Sequence, residues 1–477
     1  MKKFICILLI LVTIFSLASC SCFKQGPLEK KYTYKNFNEK YLELVDYKNR
    51  TVEIPLDAIQ AAVDTYLMNN AAEYVASRGD NVYVDINVYA EDIYTSDDGE
   101  QKSFKGEKID ELSEANYLIE NLGSSPLPHK VETEIINASL NISDIMTRTF
   151  KYEELEDYCL KRTPEGGVDQ YVGKNFYFEI KILDKVIKEG DVVDVSFKGY
   201  RLDENGVKKG DPFSESNSEK FYIGSKLAID DFENGLIGAT IGEEFSFEAT
   251  FPDDYKSNDE LKGQTVVFYV TVKSVYIPPV YNDAFVKSLF PDYGTVSAFE
   301  DSLKKDFIMN EMLVFVTEQT EILKYPKAEY RDMENSIKDS EASFKEYYGY
   351  TFDEYVKNTY NMTRDEYIKS QMKTEMVYYA IAKQEGLEPT PEMITNEKTN
   401  LITYYKEVYA TQNKLSSSEA LAAAEEFVGG LSEVYIYENV LFNLIDEYLY
   451  KIAKAVEIPK TFESISQKIA NKTTETK

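Results

Sequence analysis

The stretch GDVVDVSFKGY, residues 190–200, decides the fold class that we predict for the middle of the chain. Apolar and polar side chains alternate from Val193 to Phe197, and a period of two residues indicates a half-buried β-strand. The pair Asn205-Gly206 follows, and Asn-Gly after an alternating segment is a strong signal for a β-hairpin. We therefore predict an antiparallel sheet that begins with this hairpin.

The residues that follow complete one compact unit. The segment FYIGSKLAIDDFENGLIGATIGEEFSFEATFPDDY (221–255) predicts a short helix from about Ile229 to Leu236 and then an alternating strand. The segment LKGQTVVFYVTVKSV (261–275) predicts a closing strand rich in β-branched and aromatic residues. We assign residues 188–278 to one module, an antiparallel sheet with one short helix.

The residues before this module repeat its order. Residues 122–150 align with residues 223–251 without a gap, and self-similarity of this kind indicates tandem copies of one unit. The aligned pairs include Leu122-Gly123 with Ile223-Gly224, Glu132 with Glu233, and Thr149-Phe150 with Thr250-Phe251. We call residues 79–186 the first repeat and residues 190–276 the second repeat. The first module, with an N-terminal segment, is assigned to residues 44–187.

Beyond residue 279 the sequence pattern changes to that of helices. Helix starts of the form S/T-x-x-E stand at Ser297, Thr351, Thr363 and Ser416. The predicted helices span residues 298–324, 327–345, 363–385, 390–412 and 416–456, with a break at Gly429-Gly430. We predict an all-α domain over residues 279–457 and a polar tail over residues 458–477, so the fold class is α+β.

Composition excludes several classes of function. The chain has 83 acidic and 53 basic residues and a formal net charge of −30, whereas binding to nucleic acid needs basic surface. His129 is the single histidine, so an HExxH zinc site is excluded, and we assign this residue no catalytic role. The acidic turns at Asp97-Asp98-Gly99 and at residues 203–206 lack the ligand spacing of an EF-hand. We predict no metal, no cofactor and no nucleic-acid partner.

The N-terminus predicts export. Lys2 and Lys3 precede an apolar run from Phe4 to Leu17, which has the length of a signal-peptide core. The run ends in Leu-Ala-Ser-Cys at residues 17–20, which resembles the bacterial lipobox. We predict a signal peptide over residues 1–19, a lipid anchor with palmitate on Cys20, and a tether over residues 20–43. The alternative is an ordinary secretory signal with incidental cysteines. The lipobox predicts a protein held on the extracytoplasmic face of a bacterial membrane.

The second repeat resembles the FKBP-type peptidyl-prolyl cis-trans isomerase family, in particular the isomerase domain of trigger factor. The likeness rests on the three stretches quoted above, and it extends to Tyr47-Lys48-Asn49 and to Asp283-Ala284-Phe285-Val286. It covers most of residues 45–457. The resemblance implies two tandem FKBP-like modules followed by a trigger-factor-like chaperone domain. The ribosome-docking domain of that family has no counterpart here, so we do not expect the ribosome as a partner.

The resemblance also implies an active site. The motif positions of the family's apolar pocket fall on Phe197, Phe213, Ile229, Phe232 at the floor, Tyr255 and Phe268. Two positions depart from the family. Ser214 stands where relatives carry an acid, and Asp231 replaces a glycine, which is expected to bend the approach to the floor.

The first repeat departs further from the pattern. Ile86, Pro128 and Val131 replace the residues that correspond to Phe197, Ile229 and Phe232, and only Phe178 matches, at the position of Phe268. We expect a shallow or collapsed pocket, with a structural or peptide-binding role. The acidic, polar stretch of residues 95–116 predicts an exposed loop.

Three functions remain open at the level of sequence. The first is a membrane-anchored isomerase and folding chaperone (rotamase) whose partners are unfolded or newly exported polypeptides with prolyl bonds. The second is a non-catalytic holdase that only binds peptides, and the third is a structural envelope protein. Tyr and Met residues of the helical domain either form its core or line a cradle for clients. They are Met312, Phe315, Tyr347, Tyr348, Met372, Met376, Tyr378, Tyr379, Tyr435, Tyr437, Phe442 and Tyr448.

Overall fold

A computed structural model describes residues 41–96, 98–164, 167–465 and 468. The chain divides into two compact units. The helical unit comprises the described parts of Met1–Leu56 together with Glu300–Pro459. The sheet unit comprises Asp57–Phe299 and the described parts of Lys460–Lys477.

The strands and helices are numbered here in chain order. The strands are β1 (Leu42–Glu43), β2 (Thr51–Pro55), β3 (Ala72–Glu73), β4 (Val82–Thr95), β5 (Gln101–Lys108), β6 (Glu114–Ile119), β7 (Ile145–Lys151), β8 (Asn175–Lys185), β9 (Val192–Leu202), β10 (Lys208–Tyr222), β11 (Glu244–Thr250), β12 (Thr265–Ile277), β13 (Glu321–Ile322) and β14 (Lys454–Ile458). The helices are α1 (Leu56–Asn69), α2 (His129–Ala138), α3 (Tyr152–Arg162), α4 (Asp230–Leu236), α5 (Asp283–Leu289), α6 (Val296–Gln319), α7 (Lys327–Tyr348), α8 (Phe352–Tyr360), α9 (Arg364–Glu385), α10 (Pro391–Gln412), α11 (Ser417–Gly430) and α12 (Glu433–Ile452).

The second repeat folds as an antiparallel sheet in the order β10-β9-β12-β11, and β3 also pairs with β12. The predicted hairpin at Asn205-Gly206 is confirmed, since the amide of Asp203 donates to the carbonyl of Val207 at 2.8 Å. Gly206 has a φ of +74°, a left-handed conformation that glycine adopts without strain. The predicted helix is confirmed as α4.

The first repeat has the same strand order. Its sheet runs β5-β4-β8-β7, and β6 also pairs with β4. β5 and β6 both pair with β4, as the single strand β10 pairs with β9 in the second repeat. The prediction of an exposed loop over residues 95–116 is wrong in its secondary structure, because most of this segment is strand. All residues of β5 are exposed except Gly106, which is half-buried. The strand therefore lacks the alternation of apolar and polar residues that would have predicted it.

Equivalent hydrogen bonds in the two repeats join the turn before the first strand to the loop before the short helix. The amide of Gly79 donates to the carbonyl of Leu122, and the amide of Leu122 donates to the carbonyl of Asp80, both at 2.8 Å. The matching bonds of the second repeat, both at 2.9 Å, join Gly190 to Ile223 and Ile223 to Asp191.

A buried glutamate closes the loop before the helix in each repeat. The Glu132 carboxylate accepts the amide hydrogen of Gly123 at 2.9 Å, and the Glu233 carboxylate accepts that of Gly224 at 2.8 Å. Both glycines have a φ near +90° (+93° and +90°). The two side chains are 2% and 3% exposed. Their backbone partners offset the cost of burying a carboxylate.

A buried ion network lies where the two repeats meet. The Lys185 side chain is 1% exposed and pairs with Asp191, while its Nζ lies 3.8 Å from Asp80 Oδ1. The Lys188 ammonium lies 2.8 Å from the same Asp80 oxygen. One lysine of the first repeat therefore compensates a buried aspartate from each repeat.

The helical unit confirms most of the predicted helix starts. Capping boxes are present at Thr351, Thr363 and Ser416, and the predicted break at Gly429-Gly430 separates α11 from α12. The predicted start at Ser297 is wrong. The hydroxyl of Thr295 accepts the amide hydrogen of Ala298 at 3.2 Å, so the helix begins earlier in the same polar stretch.

The described part of the predicted tail contacts the sheet unit. The amide of Thr461 donates to Asp57 Oδ1 at 3.0 Å, and Ile465 is 1% exposed. Lys468 Nζ lies 2.6 Å from Glu189 Oε1. Within the described ranges, no helix has both the length and the apolar character that a membrane crossing requires.

Candidate active site

Phe232 lies at the centre of an aromatic cluster in the second repeat. Its ring centroid is 4.8 Å from those of Phe268 and Phe221, 5.6 Å from that of Phe197 and 5.7 Å from that of Phe247. α4 supplies this residue, β9 and β12 supply Phe197 and Phe268, and β10 and β11 supply the other two. The sheet and its helix thus meet around one ring.

A second group of rings extends the cluster towards the surface. The Phe213 ring lies 5.9 Å from Phe268 and 6.1 Å from Phe251, which contacts Tyr255 at 4.7 Å. Phe213 and Tyr255 are half-buried, as is Ile229, which packs against the same apolar core. By contrast, Phe197 is 9% exposed and both Phe232 and Phe268 are 4% exposed.

The structure therefore brings the six predicted pocket residues together in one apolar region. Their catalytic role stays a prediction. Three further rings, Phe221, Phe247 and Phe251, belong to the same cluster and were not among the predicted residues. The alternation of Phe245 and Phe247 on the predicted strand was a signal that could have found one of them.

Two glycines make room for this ring packing. A Cβ on Gly199 would lie 2.7 Å from the Phe268 ring and 2.9 Å from the Phe213 ring. A Cβ on Gly235 would lie 2.3 Å from the Phe247 ring. Any larger residue at either position would displace a ring of the cluster.

The two departures from the family pattern have different surroundings. Ser214 is half-buried on β10, opposite Gly199. The carboxylate of Asp231 accepts the amide hydrogen of Thr250 at 2.9 Å. The expected bend at Asp231 is not observed, since α4 starts regularly and the amide of Phe232 donates to the carbonyl of Ile229 at 3.0 Å.

The buried carboxylate of Glu233, the residue after Phe232, accepts hydrogen bonds from the backbone. Glu233 accepts amide hydrogens from Gly224, Lys226 and Ala228 at 2.8 to 3.2 Å. Burial raises the pKa of Glu233 above its ordinary value, although these three bonds act in the opposite direction. Glu233 therefore stabilises the loop before α4 rather than serving as an acid or base in the cluster.

The first repeat has its aromatic residues covered. Ile86, Val131 and Phe178 are fully buried, and helix α3 supplies the Tyr158 ring, 5.7 Å from Phe178. The Tyr158 hydroxyl donates to the carbonyl of Leu112 at 2.7 Å. A shallow or collapsed pocket stays a prediction for this repeat, in which a helix that was not predicted from the sequence packs against Phe178. Exposed His129 begins α2.

The described residues contain no group of three or more His, Cys, Asp or Glu side chains that could hold a metal ion. The Asp203 carboxylate accepts the amide hydrogens of Asn205 and Val207, as expected of a hairpin turn. Asp97 lies outside the described residues, and so does Cys20, the predicted lipidation site.

Five of the twelve aromatic and methionine residues predicted either to form the helical core or to line a cradle are buried. Met312, Met372, Met376, Tyr378 and Tyr379 are buried, and Tyr348 is exposed. Phe315, Tyr435, Tyr437, Phe442 and Tyr448 are half-buried, and the Tyr347 side chain lies outside the described part of the chain. Two cavities of about 230 Å³ each lie between α10 and α12.

Comparisons with known proteins agree with this geometry. Residues 184–273 match the family model described as FKBP-type peptidyl-prolyl cis-trans isomerase. The chain is 26% identical over 302 residues to the trigger factor of Caldicellulosiruptor saccharolyticus, covering 59% of this chain and 64% of that protein. It is 39% identical over 127 residues to the trigger factor of Hydrogenovibrio crunogenus, covering 26% and 27%.

A solved structure described as "Promiscuous Substrate Recognition in Folding and Assembly Activities of the Trigger Factor Chaperone" is also similar. The match has 15% identity and covers 64% of this chain and 96% of that chain, with a TM-score of 0.18, too low to support a statement about the fold. The chain spans less than two thirds of the length of both curated relatives. The chain is therefore similar to trigger factors, and its residues 184–273 match the family of FKBP-type peptidyl-prolyl cis-trans isomerases.

Proposed function

We propose that this protein is a membrane-anchored, extracytoplasmic peptidyl-prolyl isomerase and folding chaperone for exported polypeptides. The proposed isomerase activity rests on the aromatic cluster around Phe232. Its rings come from four strands and one helix, and its outer members, Phe213 and Tyr255, remain half-exposed to solvent. A prolyl segment can reach such a site without unfolding the sheet.

The chemistry needs shape and polarity rather than a titrating group. Rotation about the prolyl amide loses resonance, with a barrier of about 18–20 kcal/mol. The twisted transition state is less charge-separated than the planar amide, so a dry aromatic pocket stabilises it more than it stabilises the ground state. Phe197, Phe232 and Phe268 provide this surface, and no proton transfer is required.

The test is the rate of cis-to-trans isomerisation of short prolyl peptides. The lipid-free chain from Ser21 onwards is compared with Phe232→Ala and with Phe104→Ala, in which an exposed ring (48%) of β5 is removed. We expect isomerisation above the uncatalysed rate, lost in Phe232→Ala and kept in Phe104→Ala. An unchanged rate in Phe232→Ala would refute the pocket assignment, and a background rate in all three proteins would refute the isomerase.

We also propose that the first repeat is a degenerate FKBP-like module with a structural role. Its strand order and loop hydrogen bonds match those of the second repeat. Tyr158 of α3 packs on Phe178, the residue that corresponds to Phe268 of the second repeat. A peptide could enter only by displacing this helix.

The helical unit is proposed to hold clients while the second repeat isomerises them. Support comes from the two cavities beside α10 and from the helix itself, in which every residue retains at least partial exposure. The test is suppression of aggregation of a chemically unfolded protein. Phe232→Ala should suppress aggregation as the unaltered protein does. A chain that suppresses aggregation but never isomerises would be the holdase considered above.

Export and anchoring rest on the lipobox-like residues 17–20. Cys20→Ala should abolish incorporation of labelled palmitate. Retention of label in Cys20→Ala would refute the anchor. No ribosomes should be recovered with the protein, because its predicted extracytoplasmic location separates the protein from ribosomes.

A further inference from the structure

One amide of strand β11 has an acceptor from outside its sheet. β11 lies at the edge of the sheet, beside β12. The amide of Phe251, just beyond the strand, donates towards β12, to the carbonyl of Gln264 at 3.0 Å. Successive N–H groups point in opposite directions along a strand, so the amide of Thr250 points away from β12. Its acceptor is the Asp231 carboxylate at 2.9 Å.

Each end of this hydrogen bond adjoins a ring of the pocket. Asp231 directly precedes Phe232, the floor of the pocket. Thr250 directly precedes Phe251, whose ring packs on Tyr255 in the wall. This hydrogen bond of 2.9 Å therefore links two parts of the pocket. One is the start of α4, next to the floor ring, and the other is the segment that carries the wall rings.

The first repeat cannot form the equivalent bond. Lys130 and Thr149 stand at the aligned positions of Asp231 and Thr250. An ammonium group has donors only and cannot accept an amide hydrogen. The bond is thus confined to the repeat whose aromatic cluster is open.

We propose that Asp231 is a positioning residue for prolyl isomerisation. Its carboxylate holds Phe232 at a fixed separation from Phe251 and Tyr255, between which the prolyl amide would bind. The inference rests on the proposed isomerase function of the second repeat. Asp231 acts through the rings and through the Thr250 amide, and it makes no contact with the reacting bond.

Loss of the Asp231 carboxylate should lower the rate of isomerisation more than it lowers the stability of the fold. Asp231 and Thr250 are exposed, so water can replace the lost acceptor when the carboxylate is removed. The separation between floor and wall, however, would no longer be fixed. A displacement of about 1 Å at a reacting group can lower a rate by about a hundredfold, and we expect a loss of about tenfold here.

The experiment compares three variants of the full-length protein in detergent. Asp231→Ala removes the acceptor, Asp231→Asn keeps an oxygen that can accept, and Glu204→Ala removes an exposed acid from the hairpin between β9 and β10. We expect kcat/KM for a prolyl tetrapeptide to fall about tenfold in Asp231→Ala and less than about threefold in Asp231→Asn. Glu204→Ala should match the unaltered protein.

Hydrogen exchange at the Thr250 amide gives a readout that does not depend on activity. The amide should be protected in the unaltered protein and in Asp231→Asn, and should exchange rapidly in Asp231→Ala. Lost protection with unchanged kcat/KM would overturn the positioning role, and so would equal losses of activity in both Asp231 variants. If the unaltered protein is inactive, the proposed function and the positioning role both fail, even where exchange shows that the bond exists.

Discussion

The two repeats of the sheet unit share one strand order, but the aromatic cluster is covered in the first repeat and partly exposed in the second. In the first repeat, the connection between β7 and β8 contains helix α3, which lays Tyr158 on Phe178 and leaves that ring fully buried. In the second repeat, the connection between β11 and β12 contains only a short turn of 3₁₀-helix at Asp259–Leu261. No helix from this connection covers the Phe268 ring, which packs against the half-buried rings of Phe213 and Phe247 as well as against buried Phe232.

The difference shows how one frame can serve stability or ligand access. A covered cluster gains packing on every side, so all of its apolar area contributes to folding. An open cluster keeps some apolar area in contact with water and retains it for a ligand. The length and sequence of one connection decide between these outcomes, whereas the strand order does not change.

The largest expected effect comes from matched removal of the equivalent rings. Phe178→Ala and Phe268→Ala should each lower the free energy of unfolding by about 3–5 kcal/mol, because each removes a buried ring. Only Phe268→Ala should also lose isomerisation. Urea unfolding and prolyl-peptide kinetics measure the two effects. A slower isomerisation rate in folded Phe178→Ala would contradict this difference between the repeats, since it would assign catalysis to the covered repeat.

The junction between the repeats should be almost as sensitive. Lys185→Met leaves Asp191 buried without its ammonium partner and leaves Asp80 with Lys188 alone, which should lower the free energy of unfolding by about 3–5 kcal/mol. Lys226→Met is the control, because Lys226 forms an exposed pair with Asp230 at 3.1 Å. That change should lower stability by no more than about 1 kcal/mol. Equal losses in the two variants would contradict the role of the network.

A smaller effect is expected from the hydroxyl that fixes the covering helix. Tyr158→Phe removes the donor to the Leu112 carbonyl and keeps the ring on Phe178, so stability should fall by about 2 kcal/mol. Thermal unfolding measures the loss. Isomerisation should be unchanged, because the second repeat makes no use of this bond. No loss of stability would show that the helix is held by its apolar face alone.

The smallest effect is a dependence on pH. Burial raises the pKa of Glu233, so the folded chain holds a proton on this group at pH values where the unfolded chain has released it. The stability that this proton confers falls as the pH rises from the ordinary value through the raised one. Glu233→Gln should flatten that decline in urea unfolding as the pH rises through this range. Exposed Glu204→Gln should leave the slope unchanged, and a steeper slope in Glu233→Gln would contradict the assignment.

Local signals in the sequence predicted most of the elements. Asn205-Gly206 predicted a turn, and Thr351, Thr363 and Ser416 predicted helix starts, because each signal lies within a few residues of the bond that it forms. Helix α3 was missed although Tyr152, Leu155, Tyr158 and Cys159 have helical spacing. The alignment of the repeats passes from residue 150 to residue 173, and the second repeat has no α-helix between the matching positions.

The site was harder to predict where contacts join distant residues. Family motifs placed Phe197, Phe232 and Phe268 in one pocket, and the structure brings their rings together. The bond from Thr250 to Asp231 crosses 19 residues and depends on which side of an edge strand an amide faces. Sequence periodicity carries no information on that choice, so Asp231 could only be recognised as a departure.

The buried position of Lys185 has a consequence for dissecting the chain. This lysine ends β8, before the second repeat begins, yet its ammonium belongs to the charge balance of Asp191 inside that repeat. A fragment cut at residue 188 would keep the acid and discard its counterion. We therefore expect a fragment that begins at residue 188 to be less stable than one that includes Lys185, so that the stable folding unit extends beyond the repeated segment.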